Sequence, residues 1–228
     1  MTKTVLLSFA CFAPVFAQPV SFGVEGGVPI TDAFDTRAGS AAIISGTDIV
    51  PLGNIASYAT NTHRYVVGPA FQLHLPLRLT VEVDGLYKRL GYQYNAFTST
   101  TRTTAATVAN SWEFPVLVKW EVLPGPIRPF VDAGISFRHI SGVKQVRQVV
   151  TIPTGAVGVT TLTNPPEFRK ATDEGFVFGA GVALKLGPVR IGPELRYTRW
   201  GSENFEDPVG SLLHTNKNQG DFLLGILF

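Results

Sequence analysis

The stretch that most constrains the fold of this chain is a pair of alternating runs on either side of Gly187-Pro188. From Gly175 to Leu186 the even positions are apolar and the odd positions are mostly small. From Val189 to Tyr197 the odd positions are apolar, whereas the even positions up to Thr198 include charges of both signs, at Arg190, Glu194 and Arg196. A period of two is typical of β-strands whose two sides meet different surroundings. The stretch therefore predicts an antiparallel hairpin with one apolar and one polar side.

The same alternation recurs along the chain and predicts eight strands. They cover residues 20–28, 64–75, 77–93, 112–122, 127–138, 175–186, 189–200 and 221–228. Three connections are short, at Pro76, at 123–126 and at Gly187-Pro188, and they alternate with four long ones. This rhythm predicts an all-β fold, an eight-stranded antiparallel up-and-down barrel with three short periplasmic turns and four long outer loops.

Several local features qualify this pattern. The long connections have the composition of loops, although residues 144–152 can extend a strand and residues 55–59 suggest a short helical turn. Gly85 interrupts the third strand, where we expect a bulge that changes the phase of the alternation. Prolines lie within three strands of a sheet that has no free edge, so we expect local bulges or missing ladder bonds there. These prolines are Pro69, Pro115 and Pro193.

The N-terminus has the pattern of a secretory signal peptide. Lys3 precedes an apolar run from 5 to 16, and Val15 and Ala17 place small residues before a cleavage point. We therefore predict removal of residues 1–17 and a single barrel domain over residues 18–228. The one cysteine, Cys11, lies in the removed part, which leaves no thiol for a disulfide or a metal site. A net charge of +2 argues against a nucleic-acid surface.

Two kinds of eight-stranded barrel share this alternation, and they differ in which face is inside. In a soluble, lipocalin-like barrel the apolar face points inward, whereas in an outer-membrane barrel it points to lipid. Three features favour lipid: the polar faces carry acids and bases in nearly equal number, aromatic residues cluster near strand ends, and the strands reach the length that a tilted transmembrane strand needs.

The polar faces then predict a network of paired charges in the lumen. Glu25 and Arg138 also lie on these faces, but we do not include them in the predicted network. Its members are Arg78, Glu82, Asp84, Glu113, Lys119, Arg128, Asp132, Lys185, Arg190, Glu194 and Arg196. The aromatic residues predicted at the membrane interfaces are Tyr65, Trp112, Trp120, Tyr197, Trp200 and Phe228.

At this point the chain resembles the small outer-membrane β-barrel superfamily, the OmpA/OmpX/OmpW-type and opacity-porin-like proteins. The resemblance rests on the signal peptide, the eight-strand rhythm, the stretches WEFPVLVKW and PELRYTRW, and a last strand of alternating apolar residues that ends in Phe228. It implies a monomer in the outer membrane, with periplasmic termini and contacts to outer-membrane lipid and lipopolysaccharide. It also implies that the barrel-assembly machinery reads the last strand, through Phe222, Leu224, Ile226 and Phe228.

The sequence contains little that predicts chemistry. Four histidines are scattered without metal-ligand spacing, so we predict no metal and no cofactor. His139 and Ser141 lie two apart on one side of a strand, as in the His-x-Ser-Asn arrangement of outer-membrane lipid A deacylases. Gly142 replaces the asparagine here, and the next acid, Glu167, lies across a long loop.

These observations predict a non-enzymatic barrel with a charge-paired lumen and surface loops for structural or interaction roles. The alternative is a narrow channel for small solutes, which the glycines of the polar faces would permit. A lipid A-modifying hydrolase is the less favoured reading, because no carboxylate is placed to orient His139.

Overall fold

The computed structural model describes residues 20–45, 48–208 and 211–228, so the predicted signal peptide lies outside the described residues. The described chain is almost entirely β-strand. The strands are β1 (Val20–Pro29), β2 (Phe34–Thr36), β3 (Ala38–Ser45), β4 (Asp48–Thr60), β5 (Val66–His74), β6 (Leu79–Asp84), β7 (Leu86–Phe97), β8 (Thr101–Glu121), β9 (Ile127–Thr151), β10 (Ala156–Thr163), β11 (Thr172–Leu186), β12 (Val189–Trp200), β13 (Leu213–Thr215) and β14 (Asn218–Leu227). Among the described residues, no helix is long and apolar enough to cross a bilayer.

Eight strand positions form a ring in which every neighbour is antiparallel. In ring order they are β1, β5, β6 continued by β7, β8, β9, β11, β12 and β14. The last strand pairs with the first, from Gly23 opposite Leu227 to Pro29 opposite Asp221. This pairing leaves no open edge in the ring, and it confirms the predicted eight-stranded up-and-down topology.

The ring has its apolar side chains on the outside. Phe176 is 65% exposed on the outer face, whereas Glu194 on the neighbouring strand is 2% exposed and points inward. The same division holds on the other strands, where outward Phe22, Phe71 and Ile135 are exposed. A lipocalin-like barrel would bury these residues, so the structure selects the second of the two barrels that the alternation allows.

Gly85 does not change the phase of the alternation, contrary to the sequence prediction. Inward positions are even-numbered on both sides of it, and β6 and β7 keep one register against β8. The interruption has another cause. Gly85 N–H donates to the carbonyl of Pro69 on β5 at 3.0 Å, and Pro69 has no N–H with which to return a bond.

The other strand prolines also leave the register unchanged. Pairing between β11 and β12 stops at Gly181–Glu194 and resumes at Leu184–Ile191, which leaves a gap opposite Pro193. Missing ladder pairs are therefore present, but bulges at prolines are not. The register shift between β8 and β9 lies instead at Gly142, whose φ of 61° suits glycine.

The long connections were predicted as loops, and much of their length is in fact strand. β8 and β9 have 21 and 25 residues, so residues 144–151 extend β9, one residue short of the predicted range 144–152. Residues 55–59 belong to β4 rather than to a helical turn, and β4 pairs with β7. The Thr-, Ser- and Ala-rich composition that suggested a loop over residues 95–110 did not prevent strand formation, because β8 bonds to β7 on one side and to β9 on the other. A transmembrane strand needs roughly 9–11 residues, so these strands project well beyond the ring as an outer sheet, made of β3, β4, β10 and the outer parts of β7, β8 and β9.

Close approach of neighbouring strands makes Gly134 a test of the ring. A Cβ atom at Gly134 would lie 2.0 Å from the carbonyl oxygen of Val116 on β8, whereas one at Gly158 in β10 would have no atom nearer than 4.0 Å. We expect Gly134→Val to abolish refolding into detergent, and Gly158→Val to refold like the unaltered protein. Heat-dependent migration on gels measures the folded fraction. Equal folding of the two variants would contradict the strand geometry.

Candidate functional site

Arg196 lies at the centre of the lumen. Its side chain is 2% exposed, and its three nitrogen atoms all donate to carboxylates. The distances lie between 2.6 and 3.3 Å, and the acceptors are Glu25, Glu82, Asp84 and Glu194. These carboxylates come from three strands, β1, β6 and β12, so one guanidinium joins parts of the wall that are far apart in sequence. Charge-assisted bonds from a planar guanidinium fix geometry as well as contribute energy.

Lys119 is the second cation of this level. Its ammonium group lies 2.7 Å from Glu82 and 2.5 Å from Glu194, and 4.7 Å from the centre of the Phe130 ring. Gln72 donates to the other oxygen of Glu82. We call Arg196, Lys119 and the carboxylates around them the central network.

A second network lies nearer the loop end of the barrel. Lys88 contacts Asp221 at 3.0 Å and Glu113 at 3.1 Å, and Arg138 contacts Glu113 at 3.0 Å. Gln219 donates to both acids, at 2.6 and 3.0 Å. Two buried acids thus face two buried bases, and this upper network is electrically balanced.

Arg138 also stacks on an aromatic ring. Its guanidinium carbon lies 3.7 Å from the centre of the Trp200 ring, and the indole N–H of Trp200 donates to Gln219 at 3.0 Å. The stacking closes the upper network against the β12 side of the wall. Cation–π contacts of this kind are strongest where both groups are out of water.

An apolar cluster covers the lumen at its loop end. We call it the cap. Phe205 is fully buried and its ring lies 5.6 Å from Phe34, 5.8 Å from Tyr92 and 5.2 Å from Phe168. The other buried members are Tyr58, Leu90, Ala109, Ile140, Val143 and Leu213. The outer loops supply Phe34, Phe168 and Phe205, so the loops fold inward and seal the mouth.

Tyr58 of the cap has a polar partner in the connection between β10 and β11. Its hydroxyl donates to the buried carboxylate of Glu167 at 3.4 Å. Burial raises the pKa of Tyr58 well above its usual range, and the negative charges of Glu167 and Asp207 raise it further. Tyr58 is therefore a neutral hydrogen-bond donor at all physiological pH values.

The structure places six residues of the predicted lumen network in the lumen with charged partners. They are Glu82, Asp84, Glu113, Lys119, Glu194 and Arg196. Arg128 and Arg190 lie at the turn end instead. Arg128 pairs with Glu121 at 2.8 Å and is partly exposed, and Arg190 contacts the ring of His74 at 2.6 Å.

Three predicted members of the network are misplaced or unpaired. Arg78 is exposed in the turn Pro76–Arg78 and donates to the carbonyl of Val122, because the strand has already ended there. Lys185 is exposed next to the Gly187 turn, beyond the enclosed part of the lumen. Asp132 is buried in the lumen, but neither of its carboxylate oxygens has a hydrogen-bond partner.

Four members of the two networks were not in the predicted set. Glu25 and Arg138 lie on predicted polar faces, whereas Lys88 and Asp221 were not assigned to any face. Lys88 is two residues from Leu86 and four from Asp84, on the same inward parity, so an uninterrupted phase through Gly85 would have found it. Asp221 alternates with the exposed apolar residues of β14. It was not assigned to a face because the predicted strand began at this residue.

Three aromatic residues lie together at the loop end of the outer face. The Tyr87 ring of β7 lies 5.2 Å from Trp112 of β8 and 6.3 Å from Tyr65, which directly precedes β5. Trp120 and Phe228 are exposed toward the turn end, and Tyr197 is exposed with its hydroxyl bonded to Asn218 at 2.7 Å.

Trp200 is not an interface residue. It is 1% exposed and points into the lumen, because it shares the even parity of Glu194 and Arg196 on β12. The prediction that it lies at the membrane surface is therefore wrong, and strand parity, rather than nearness to a strand end, decides its side.

His139 and Ser141 are not hydrogen-bonded to each other among the described residues. His139 is exposed on the outer face, and no hydrogen bond joins it to Ser141 or to a carboxylate among the described residues. The bulge at Gly142 follows directly.

Comparison with known proteins identifies no family. No protein-family profile matches the chain, and no curated protein sequence matches it. Among solved structures, it is similar to the outer membrane protein OprG from Pseudomonas aeruginosa, with 12% identity, a TM-score of 0.46 and coverage of 91% of this chain and 94% of that one. It is also similar to Ail, the attachment invasion locus protein of Yersinia pestis, with 8% identity, a TM-score of 0.32 and coverage of 91% and 98%. At these values the likeness carries no argument about function.

The central network predicts a strong dependence of stability on Arg196. Replacing it by Met leaves four buried carboxylates without their shared cation, and breaking a buried pair in this way costs about 3–5 kcal/mol. The matched control is Arg128→Met at the partly exposed turn end, where loss of a pair costs about 0–1 kcal/mol. Urea unfolding of the protein in lipid or detergent measures both. Similar losses for the two variants would contradict the central role of Arg196.

Proposed function

We propose that this protein is an integral outer-membrane β-barrel without enzymatic activity, whose lumen is closed and whose projecting sheet serves structural or interaction roles at the cell surface. The observation that carries the proposal is the stacking of three closures along the barrel axis: the cap, the upper network and the central network. Each lies across the interior, and each is built from buried side chains.

The outer face supports a place in a bilayer. Trp112 and Trp120 are eight residues apart on β8, which corresponds to about 27 Å along the strand at ~3.4 Å per residue, or about 20 Å along the membrane normal at a ~45° tilt. Apolar side chains are exposed between them, including Phe114, Val116 and Val118. An apolar band roughly 25 Å tall between aromatic girdles is typical of outer-membrane barrels.

A place in the outer membrane requires export and assembly. In this proposal residues 1–17 supply the signal peptide, and the termini lie in the periplasm. The barrel-assembly machinery takes up β14 through its outward apolar residues, all of which are exposed. These are Phe222, Leu224, Ile226 and Phe228. Outer-membrane lipid and lipopolysaccharide then surround a monomer.

A narrow channel for small solutes is the alternative, and the size of the interior spaces weighs against it. The central network adjoins a cavity of about 40 Å³, and the upper network adjoins one of about 30 Å³. A buried water needs roughly 10–15 Å³ on this measure, so each space holds a few waters rather than a solute. An eight-stranded barrel has an interior that side chains can just fill.

The projecting sheet is the surface on which an interaction role depends. Its edge strand β10 is exposed along almost its whole length, and Val157 and Val159 are 57% and 65% exposed. A rigid ring therefore holds a wide sheet away from the membrane, where a partner can reach it.

Conductance measurement tests the closed lumen. We expect purified protein, refolded from denaturant into proteoliposomes, to give no single-channel steps, because both charge networks and the cap block the axis. Heat-dependent migration of the same sample confirms that the barrel is folded. Reproducible steps from folded protein would contradict the proposal and support the channel.

A further inference from the structure

The two lumen networks differ in electrical balance. The upper network has two acids and two bases, but the central network has more acids than bases. Arg196 and Lys119 are its only cations among the described residues. Its carboxylates are Glu25, Glu82, Asp84, Asp132 and Glu194. With every group ionised, the central network carries a formal charge of three negative units.

The two cations are already bonded to carboxylates of the network other than Asp132. Each nitrogen of Arg196 already donates to a carboxylate, and the ammonium of Lys119 lies against Glu82 and Glu194. The excess of negative charge corresponds to carboxylate oxygens that accept no hydrogen bond. Four buried carboxylate oxygens have no hydrogen-bond partner. They are Oε2 of Glu25, Oδ1 of Asp84 and both oxygens of Asp132. Buried charges without partners cost several kcal/mol each, so positive charge has to enter from outside the chain.

Three of the carboxylates lie close enough together to share one metal ion. One carboxylate oxygen from each of Glu25, Glu82 and Asp84 lies within 4.8 Å of the others. Oxygen ligands of Ca²⁺ lie roughly 2.3–2.6 Å from the ion, so oxygens on opposite sides of it are about 5 Å apart. Arg196 donates to one oxygen of each of these three carboxylates, which leaves Oε2 of Glu25 and Oδ1 of Asp84 for a second cation.

Asp132 adds an independent observation. It comes from β9, is 6% exposed, and has both oxygens without a partner. Its oxygens reach toward Gly179 on the next strand, where a Cβ atom would lie 2.4 Å from Oδ1. In the strand registers it lies opposite Lys119 of β8 and Gly179 of β11. An unpartnered carboxylate at this place increases the attraction for a cation without being tied to either base.

A cavity lies beside three of the five carboxylates. Its volume is about 40 Å³, Glu25, Glu82 and Glu194 line it, and it extends toward Arg190 and Leu227 at the turn end; Asp84 and Asp132 do not line it. This volume admits one ion with one or two waters, at roughly 10–15 Å³ per water. A proton would need no such room.

We propose that the central network is a binding site for one hard divalent cation of the Ca²⁺ class, ligated by Glu25 and Asp84 with Glu82 beside them. The ion reduces the charge excess and joins β1 to β6 on the side of the carboxylates that Arg196 does not contact. It acts as an internal staple of the closed barrel, a role independent of any partner of the outer sheet.

Titration calorimetry with CaCl₂ tests the site. The protein is refolded from inclusion bodies into detergent, free of lipopolysaccharide and treated with EDTA. We expect uptake of one ion per barrel, and at least a tenfold weaker affinity in Asp84→Asn and in Glu25→Gln. The matched control is Glu113→Gln in the balanced upper network, which should bind Ca²⁺ like the unaltered protein. EDTA should also lower the thermal unfolding temperature of the unaltered protein but not that of Asp84→Asn.

Two results would overturn the proposal. If the folded, unaltered barrel takes up no Ca²⁺ and unfolds at the same temperature with and without EDTA, protons neutralise the excess instead. If uptake is the same in Asp84→Asn and Glu25→Gln as in the unaltered barrel, the ion binds elsewhere, for example at the acidic outer loops. Should one of these variants fail to fold, the other variant and the EDTA comparison on the unaltered protein still decide between these results.

Discussion

The bonds from Arg196 to four carboxylates are the interaction on which the rest of this barrel depends. Strands β1, β6 and β12 bring these acids together although they are far apart in sequence. The arrangement exists only when the ring is closed, because β1 and β12 meet through β14. Closure and charge pairing therefore stabilise each other. A ring without Arg196 would enclose carboxylates that repel one another, and an open ring would expose backbone groups that lipid cannot satisfy.

The lumen and the outer sheet differ in the residues that fill them. Inside the apolar band, polar groups bond to each other and fill the space that would otherwise conduct. Beyond the band, the outer sheet continues the same strands, and its loops return to cover the mouth with Phe34 and Phe205. The cap is an ordinary apolar core that lies above two polar ones. Along the barrel axis, the interior of the ring is thus occupied first by the cap and then by the two charge networks.

Strand parity made much of the fold predictable from the sequence. A period of two identifies each strand and its two faces, and short turns fix the meander. The same rule, applied throughout, would have placed Trp200 inside and kept Lys88 on the inward face across Gly85. The errors arose where local features were given more weight than parity: nearness to a strand end for Trp200, and a glycine for the supposed change of phase. The Thr-rich connections were misjudged because composition does not show whether a neighbouring strand is present to bond.

Which charged residues contact one another in the two networks was harder to predict from the sequence. Parity tells which residues face the lumen, but the register between strands decides which of them meet. Asp132 and Arg78 illustrate the two limits. Asp132 faces inward as expected, yet the cations beside it bond to other acids. Arg78 has the right parity for the strand pattern, but it lies in a turn where the wall has ended.

The central claim is the inverted polarity of the ring, and the three tryptophans of the chain allow a direct test. Trp112 and Trp120 are 39% and 47% exposed on the apolar outside, whereas Trp200 is 1% exposed in the lumen. Three variants that each retain one tryptophan, with phenylalanine at the other two positions, can be refolded into bilayers that contain brominated lipids. Bromine quenches indole fluorescence on contact. The account predicts strong quenching of Trp112 and Trp120 and almost none of Trp200; quenching of Trp200 comparable to that of Trp120 would contradict it.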